Sequence, residues 1–499
     1  MADDAPYTIV IGLEVHVQLT TESKMFSWCG TEFGLPPNTQ CDPVSLGLPG
    51  TLPVMNRKAF DLALKTAMAC HATITPFTKW DRKNYYYPDL PKNYQISQYD
   101  LPFSTGGWLD IPPRKDGSGG GRCTLTRIHL EEDTGKLVHD TGSFSEVDLN
   151  RAGIPLMEIV SEPEIRSAAD ARACLEELRL KLRYLNVSDC EMQEGSLRCD
   201  ANVNIHIPVD GGKPVATPIV EIKNLNSFSA VERAIQYEAE RQYEQWQKDK
   251  KTIRDAPKQT RGWSEPDRCT KPQREKETAA DYRYFPEPDL VPVVVDDAWL
   301  DRIRATIGEL PADRRARFEG LGLSAYDANV LVEQGQDVAD YFDAVAGPTG
   351  EPKLAANWIQ QDVLRVAKER KIGLAEFPVQ PEALAELILR VKKKELNTNQ
   401  GREVLSRMIE DGRSAAEIIA AEGYGMVSDR DAIVAAVETA LSSNPQALAD
   451  LRGGKKKPDA VKGWLRGQVM KATGGKADPA LVVEVMETKL AEILSSADG

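Results

Sequence analysis

Residues 8–19, TIVIGLEVHVQL, alternate polar and apolar side chains. A strand's period of two puts Glu14, His16 and Gln18 on one face and Leu13, Val15, Val17 and Leu19 on the other. A carboxylate beside an imidazole can hold a cation or move a proton. A lone Glu-x-His is as often the polar half of an edge strand, so further acids must join it. In RIHLEEDTGK, Glu131, Glu132 and Asp133 form a compact acidic turn ending in Gly135, and three adjacent like charges repel unless water or a cation screens them. In DLNRAGIPLMEIVSEPE, Glu158 sits in the apolar run Ile154, Leu156, Met157, Ile159 and Val160, where a carboxylate needs a cation, an arginine or a metal beside it. EGSLRCDANVNIHI alternates again and adds Arg198 and Asp200 to a polar face.

Carboxylates with one histidine, spread over four strand-like segments, suit a hard cation with oxygen ligands, magnesium more than zinc. Magnesium in turn suggests a nucleotide. No GxxxxGK[ST] loop occurs, and the glycine run at 117–121 lacks a following helix signal and reads as a hairpin turn. Phosphates would then be held by the metal and by Arg151, Arg198, Lys223 and Arg283, each of which could equally be a structural ion-pair partner. The stretches 81–100 and 281–289 interleave Tyr with Lys, Arg and Asp; such rings can stack on a base, although packing under a loop is their commoner use. There is neither a G-x-S-x-G elbow nor a cysteine nucleophile with matching partners, so a covalent hydrolase mechanism finds no support.

The elements that must position these residues form an α+β region from Tyr7 to about Asp289. Helices are predicted over 167–185, capped by Ser167 and Asp170, and from Ser229, whose spacing to Glu232 fits a capping box, toward Lys250. Near residue 295 the strand signal gives way to helical segments, with a second boundary near Gln400. The 499 residues carry a formal net charge of −14, which argues against a surface coated for DNA. Against that average, 452–476 is a basic island that includes Lys455, Lys456, Lys457, Lys462, Arg466 and Lys471, fitted either to a solvated helix face or to phosphate contacts. Eight scattered cysteines, no apolar run long enough to span a bilayer and no leader at the N-terminus read as a cytoplasmic, unanchored protein.

Taken in order, LEVHVQL, HLEEDTGK, DLNRAGIPLMEIVSEP, GSLRCDANV, EIKNLNSF and DYRYFPEPDL closely resemble the B subunit of the glutamyl/aspartyl-tRNA amidotransferase, and GQVMKATGGKADP extends the likeness toward the C-terminus. The resemblance implies a glutamine-synthetase-like antiparallel-sheet cradle (residues 1–294), an all-helical domain (295–405) and a small helical tail that touches tRNA (406–499). It implies that magnesium and ATP are used to phosphorylate the side-chain carboxylate of Glu or Asp mischarged on tRNA(Gln) or tRNA(Asn). Ammonia then displaces the phosphate. The family's metal positions fall on Glu14, His16, Glu132 and Glu158, with Glu131 and Asp200 in the same site. Ammonia would come from the family's amidase (A) subunit, with the small (C) subunit completing a heterotrimer, in keeping with the missing nucleophile.

The four positions of the family's zinc knuckle read Ser27, Cys29, Asp42 and Ser45 here, and two thiols out of register cannot close a structural zinc site, so none is expected. Two other readings are a stand-alone magnesium-ATP carboxylate ligase or kinase and a non-catalytic tRNA-binding scaffold. The lysine-rich tail argues against the first, and the number of uncompensated acids against the second.

Overall fold

The computed structural model describes residues 6–114, 117–139, 142, 144–209, 212–273, 281–422, 424, 430–452, 458–473, 477 and 479–495. The chain divides into two compact units, up to Arg314 and from Arg315 on. In the first, a large mixed sheet is built around β1 (Thr8–Gln18). The strands that matter below are β2 (Asp81–Asn84), β3 (Tyr94–Ser97), β4 (Gly121–Glu132), β5 (Pro155–Ser161), β6 (Leu197–Ile207), β7 (Val220–Lys223), β8 (Gln259–Ser264), β9 (Cys269–Pro272) and β10 (Phe285–Pro286). The large sheet runs β9-β8-β7-β6-β1-β5-β4 and continues into two short strands, while β10-β2-β3 form a small separate sheet.

Alternation gives the large sheet two unlike faces. Leu13, Val15 and Val17 of β1, Met157 and Ile159 of β5, and Leu197, Cys199 and Ala201 of β6 are all buried in one apolar core. Helices α1 (Arg57–Ala69), α2 (Ala168–Tyr184) and α3 (Phe228–Asp249) contribute to that core. The Ser167 hydroxyl caps α2 by accepting from the Asp170 N–H (3.0 Å), as the sequence predicts. Helix α3 starts earlier than predicted: Ser227, not Ser229, is its cap and accepts from the Ala230 N–H (3.0 Å). Glu232 is drawn instead to Arg172 (3.1 Å), which removes it from the capping box expected of it. The glycine run at 117–121 lies between the antiparallel strands Trp108–Ile111 and β4, a hairpin connection.

Where zinc ligands would stand, the Asp42 carboxylate accepts from the hydroxyls of Ser27 (2.9 Å) and Ser45 (2.6 Å) and from the N–H groups of Val44 (2.9 Å) and Ser45 (3.1 Å). Hydrogen bonds to an ionised acceptor are strong enough to organise this segment locally.

The first unit extends past residue 294. The helix Asp297–Arg304 docks on α1, with the Trp299 indole N–H donating to Asp61 (2.7 Å) and Arg57 stacked 3.6 Å over its ring. The second unit is helical. The boundary placed at 405/406 falls inside one helix, Thr398–Asp411, which opens on an Asn397–Gln400 capping box and ends at Gly412 with φ 73°, a left-handed conformation glycine adopts without strain. Toward the C-terminus, the helices Arg430–Ser442, Pro458–Ala472 and Pro479–Ser495 bury Ile433, Val437, Leu465, Val469, Val485 and Leu490 against one another. Lys462, Arg466 and Lys471 lie on the middle helix, with Lys462 3.8 Å from Glu487. Lys455, Lys456 and Lys457 lie outside the described residues. No helix among the described residues is long and apolar enough to cross a membrane.

Candidate active site

The polar face of the sheet carries the site, and strand register assembles it. His16 lies opposite Glu158 on β5 and Arg198 on β6; Glu14 lies opposite Asp200; Glu158 in turn lies opposite His129 on β4. Directly opposed residues share a face, so the side chains converge. His16 Nε2 is 3.3 Å from Glu158, 3.7 Å from Glu131 and 3.9 Å from Glu14. His129 Nε2 approaches Glu158 at 3.5 Å.

Three groups have ligand atoms within 4.8 Å of one another: Glu14, His16 and Glu158; His129, Glu131 and Glu158; and Glu14, Asp200 and Glu221. Carboxylate-rich donor sets with at most one imidazole fit a magnesium-sized hard cation, and the shared Glu14 and Glu158 make the three groups continuous. Of the four residues predicted as metal ligands, Glu14, His16 and Glu158 come together. Glu132 does not join them. Strand parity turns its side chain away from Glu131, and its carboxylate accepts from the Ile96 N–H (2.9 Å) and from the Lys92 ammonium.

The predicted acidic turn is therefore the end of a strand whose three acids face three directions. Glu131 meets the histidines. Glu132 meets Lys92. Asp133 accepts from Arg198 Nη2 (2.6 Å) and Gln18 Nε2 (2.7 Å), with Arg151 3.6 Å away. Each acid has its own counter-group, although Glu158 and Asp133 still act on Glu131 as like charges.

The predicted phosphate cations are mostly engaged with protein. Arg151 donates to the carbonyls of Thr134 (2.9 Å) and Gly135 (2.6 Å), and Arg198 is tied to Asp133. Lys223 donates to Asp200 and lies 3.3 Å from Glu221. Exposed Arg283, with φ 45°, donates to the Asp281 carbonyl (3.2 Å) on the loop before β10.

Three residues at the site were missed from sequence: His129 and Glu221 on this face, and Lys83 on the small sheet beside it. His129 and Glu131 repeat on β4 the alternation of Glu14 and His16 on β1, and Glu221 and Lys223 do so on β7; that recurrence was the available signal. Lys83, on the four-residue β2, offers no such pattern. Its ammonium lies 5.1 Å from the Tyr282 ring and 5.9 Å from Tyr85, with Tyr284 stacked on Tyr99 at 4.1 Å beyond. The two tyrosine-rich stretches thus meet each other beside the carboxylates.

The electrostatics sort these groups. Burial would lower the Lys83 pKa, but Glu131 and Glu158 hold it well above the lysine range. Burial would raise Glu158, but His129 when it carries a proton, together with His16 and Lys83, holds it well below the carboxylate range. For Glu131, burial wins and the pKa is raised. Burial also pushes His129 down to about 4, whereas for His16 the hydrogen bond to Glu158 and the charges of Glu158, Glu131 and Glu14 outweigh burial and raise it. The face holds one neutral imidazole and one inclined to be charged, around an ionised carboxylate.

The chain matches the model of the GatB/GatE catalytic domain over residues 9–301 and that of the GatB domain over residues 340–490. It is 50% identical over 492 residues to the B subunit of aspartyl/glutamyl-tRNA(Asn/Gln) amidotransferase from Rhodopirellula baltica, covering 98% of each chain. The protein of the same name from Moorella thermoacetica is 48% identical over 489 residues, covering 97% of this chain and all of that one. That from Trichodesmium erythraeum is 46% identical over 493 residues, covering 97% of this chain and 98% of that one.

Proposed function

The chain belongs to the family of aspartyl/glutamyl-tRNA(Asn/Gln) amidotransferase B subunits, and from that premise we propose that its carboxylate face activates the side-chain carboxylate of Glu or Asp mischarged on tRNA(Gln) or tRNA(Asn) for amidation. The activity is that of a carbon-nitrogen ligase of translation, and we assign it to the cytoplasm. The observation that carries the reading is that Glu14, His16 and Glu158 bring ligand atoms within 4.8 Å of one another, with Glu131 3.7 Å from the same imidazole.

A carboxylate is a poor electrophile, so the reaction needs ATP to convert one oxygen into a leaving group before ammonia attacks. Glu14, His16 and Glu158 would hold magnesium, with Glu131 in the place read from sequence for Glu132, and Asp200 and Glu221 on the side toward β7. Bound there, the ion supplies charge neutralisation for the phosphates and the developing acyl phosphate oxygens. The protein's own groups do the positioning. Lys223 stands between the acids and the outer strands as the cation that meets phosphate, and Lys83 stands at the opposite end beside Glu131. Arg198, through Asp133, fixes Gln18 and the end of β4. Arg151 holds the same turn by its carbonyls, which makes its role one of support. The sheet and its open face agree with a glutamine-synthetase-like cradle, and the helical unit, with Lys462, Arg466 and Lys471, would contact tRNA. Ammonia would come from a partner amidase within a complex that also holds a small third protein.

The test is ADP formation by the purified complex. ADP should appear only when magnesium and mischarged tRNA are both present, and Glu158→Gln should abolish it while glutamine hydrolysis by the partner continues. ADP formation by wild type without tRNA would favour the stand-alone ligase reading; none under any condition would favour the scaffold.

A further inference from the structure

A cavity of about 190 Å³ opens at the end of β1, where Gln18 stands two residues beyond His16 on the same polar face. Gln18 ties the cavity to the carboxylate site: its side-chain amide donates to Asp133 (2.7 Å) and its backbone N–H to the Ser196 carbonyl (2.9 Å). The volume is below the ~300–1,000 Å³ of sites that enclose a whole small molecule, and it suits the end of a longer one.

Thr20, Thr21 and Thr31 supply short polar groups to its lining, and Asp189 and Glu194 are its charged residues; no described lysine or arginine lines it. Carboxylates without a cation beside them repel phosphate and accept from hydroxyl, amino and ammonium groups. One wall is Phe33, which is 69% exposed. The backbone that leads into it is fixed. Gln40 accepts from the Glu32 N–H (2.9 Å) through Oε1 and donates to the Glu32 carbonyl (2.6 Å) through Nε2, and the Thr31 hydroxyl donates to the Thr21 carbonyl. An aromatic ring anchored in this way and left bare is a platform for another flat ring.

We infer that this cavity holds the terminal adenosine of the mischarged tRNA, its base stacked on Phe33 and its ribose and the α-ammonium of the amino acid turned to the acids. The inference rests on the reading above that a tRNA-bound Glu or Asp is activated on the carboxylate face. Reach supports it. Two residues of strand separate Gln18 from His16, about 7 Å. The side chain of an esterified glutamate spans four carbon–carbon bonds from ester carbon to carboxylate carbon, about 5 Å when extended. An ester at the mouth of the cavity therefore delivers its carboxylate to His16 and Glu158. Charge supports it as well: ATP would bring a triphosphate to these acids, whereas the amino acid joins adenosine through a neutral ester and adds a positive amine.

The experiment uses the complete complex with its partner proteins and a probe that holds only this part of the substrate, 3′-deoxy-3′-(L-glutamylamino)adenosine, in which an amide replaces the labile ester. It should inhibit amidation competitively against mischarged tRNA and not against ATP. Phe33→Ala should raise its inhibition constant and KM for mischarged tRNA together, about tenfold, the worth of one stacked base, and leave KM for ATP unchanged. Phe33→Trp keeps the stack and should restore both. The salt dependence of tRNA binding should be the same in all three proteins, because no phosphate contact is lost. No inhibition, inhibition competitive with ATP, or equal inhibition of wild type and Phe33→Ala would overturn the inference, while tRNA-dependent ADP formation keeps the function intact. A loss in Phe33→Ala that Phe33→Trp does not restore would also overturn it, leaving Phe33 a structural role. A wild-type complex that forms no ADP with mischarged tRNA would overturn the function and the inference together.

Discussion

His16 Nε2 stands 3.3 Å from Glu158 Oε2, directly across the β1–β5 pair, which brings two residues 142 positions apart to the same point of the face. Glu158 also faces His129 and, like Glu14, is shared by two of the three ligand groups. Glu158→Gln keeps the shape and removes the charge. Its magnesium affinity should fall about tenfold or more, read from the magnesium dependence of ADP formation. Wild-type dependence in that variant would remove Glu158 from the metal site.

Glu131 and Glu132 should fail differently. Glu131→Gln should weaken magnesium binding with little change in Tm. Glu132→Gln strands the Lys92 ammonium, whose side chain is 5% exposed against 4% for Glu132, and should destabilise the fold by about 3–5 kcal/mol without altering magnesium affinity in the folded fraction. Thermal unfolding and magnesium titration on both variants separate the two. The opposite pattern would return Glu132 to the metal.

Acid should destabilise the metal-free protein through His129. Its folded-state pKa of about 4 lies below the ordinary 6.5, so between these values the unfolded chain binds the proton and the folded one does not. Stability from this group is complete above pH 6.5 and is lost as pH falls toward 4, about 2 kcal/mol by pH 5. His16, with its raised pKa, works in the opposite sense, contributing below 6.5 and losing that contribution as pH rises. Removing His129 by His129→Asn should therefore flatten or reverse the pH dependence of unfolding between pH 7 and 5, measured in urea. An unchanged slope would show that the imidazole titrates normally.

What could be read before folding followed what alternates. Glu14 with His16, and Arg198 with Asp200, announce their faces because apolar neighbours on both sides set the parity. Glu131 and Glu132 are adjacent, and only the pairing with β5 decides which one faces the site. Lys83 was hidden for a different reason: β2 is too short for any period, and its neighbours are tyrosines whose role depends on the distant segment 281–287. The start of α3 was misjudged because Ser227 and Ser229 are both competent caps, and the choice is made by where Ala230 and Val231 enter the core. The cavity at the end of β1 is lined from segments near 18–21, 31–33 and 189–196, which no local pattern brings together.

The basic helix supports a salt test. Replacing Lys462, Arg466 and Lys471 by Ala should make the slope of log affinity for tRNA against log salt shallower by about one per lost phosphate contact, up to about three, with the rate at saturating tRNA unchanged. An unaltered slope would leave this helix as an ordinary solvated surface.

Glu131 and Glu132 at the end of β4 point to opposite faces because consecutive residues of a strand alternate, and Asp133, just past the strand end, turns to Arg198. That makes the length of this segment as consequential as its composition. Deleting one residue between 122 and 128 would preserve every acid yet slip His129, Glu131 and Glu132 together by one position against β5 and exchange their faces, while deleting one from the glycine-rich hairpin at 117–121 leaves the pairing with β5 alone. Across relatives, gaps in an alignment should therefore be tolerated on one side of Gly121 and absent on the other. A homologue that breaks that pattern would need a compensating bulge to remain active.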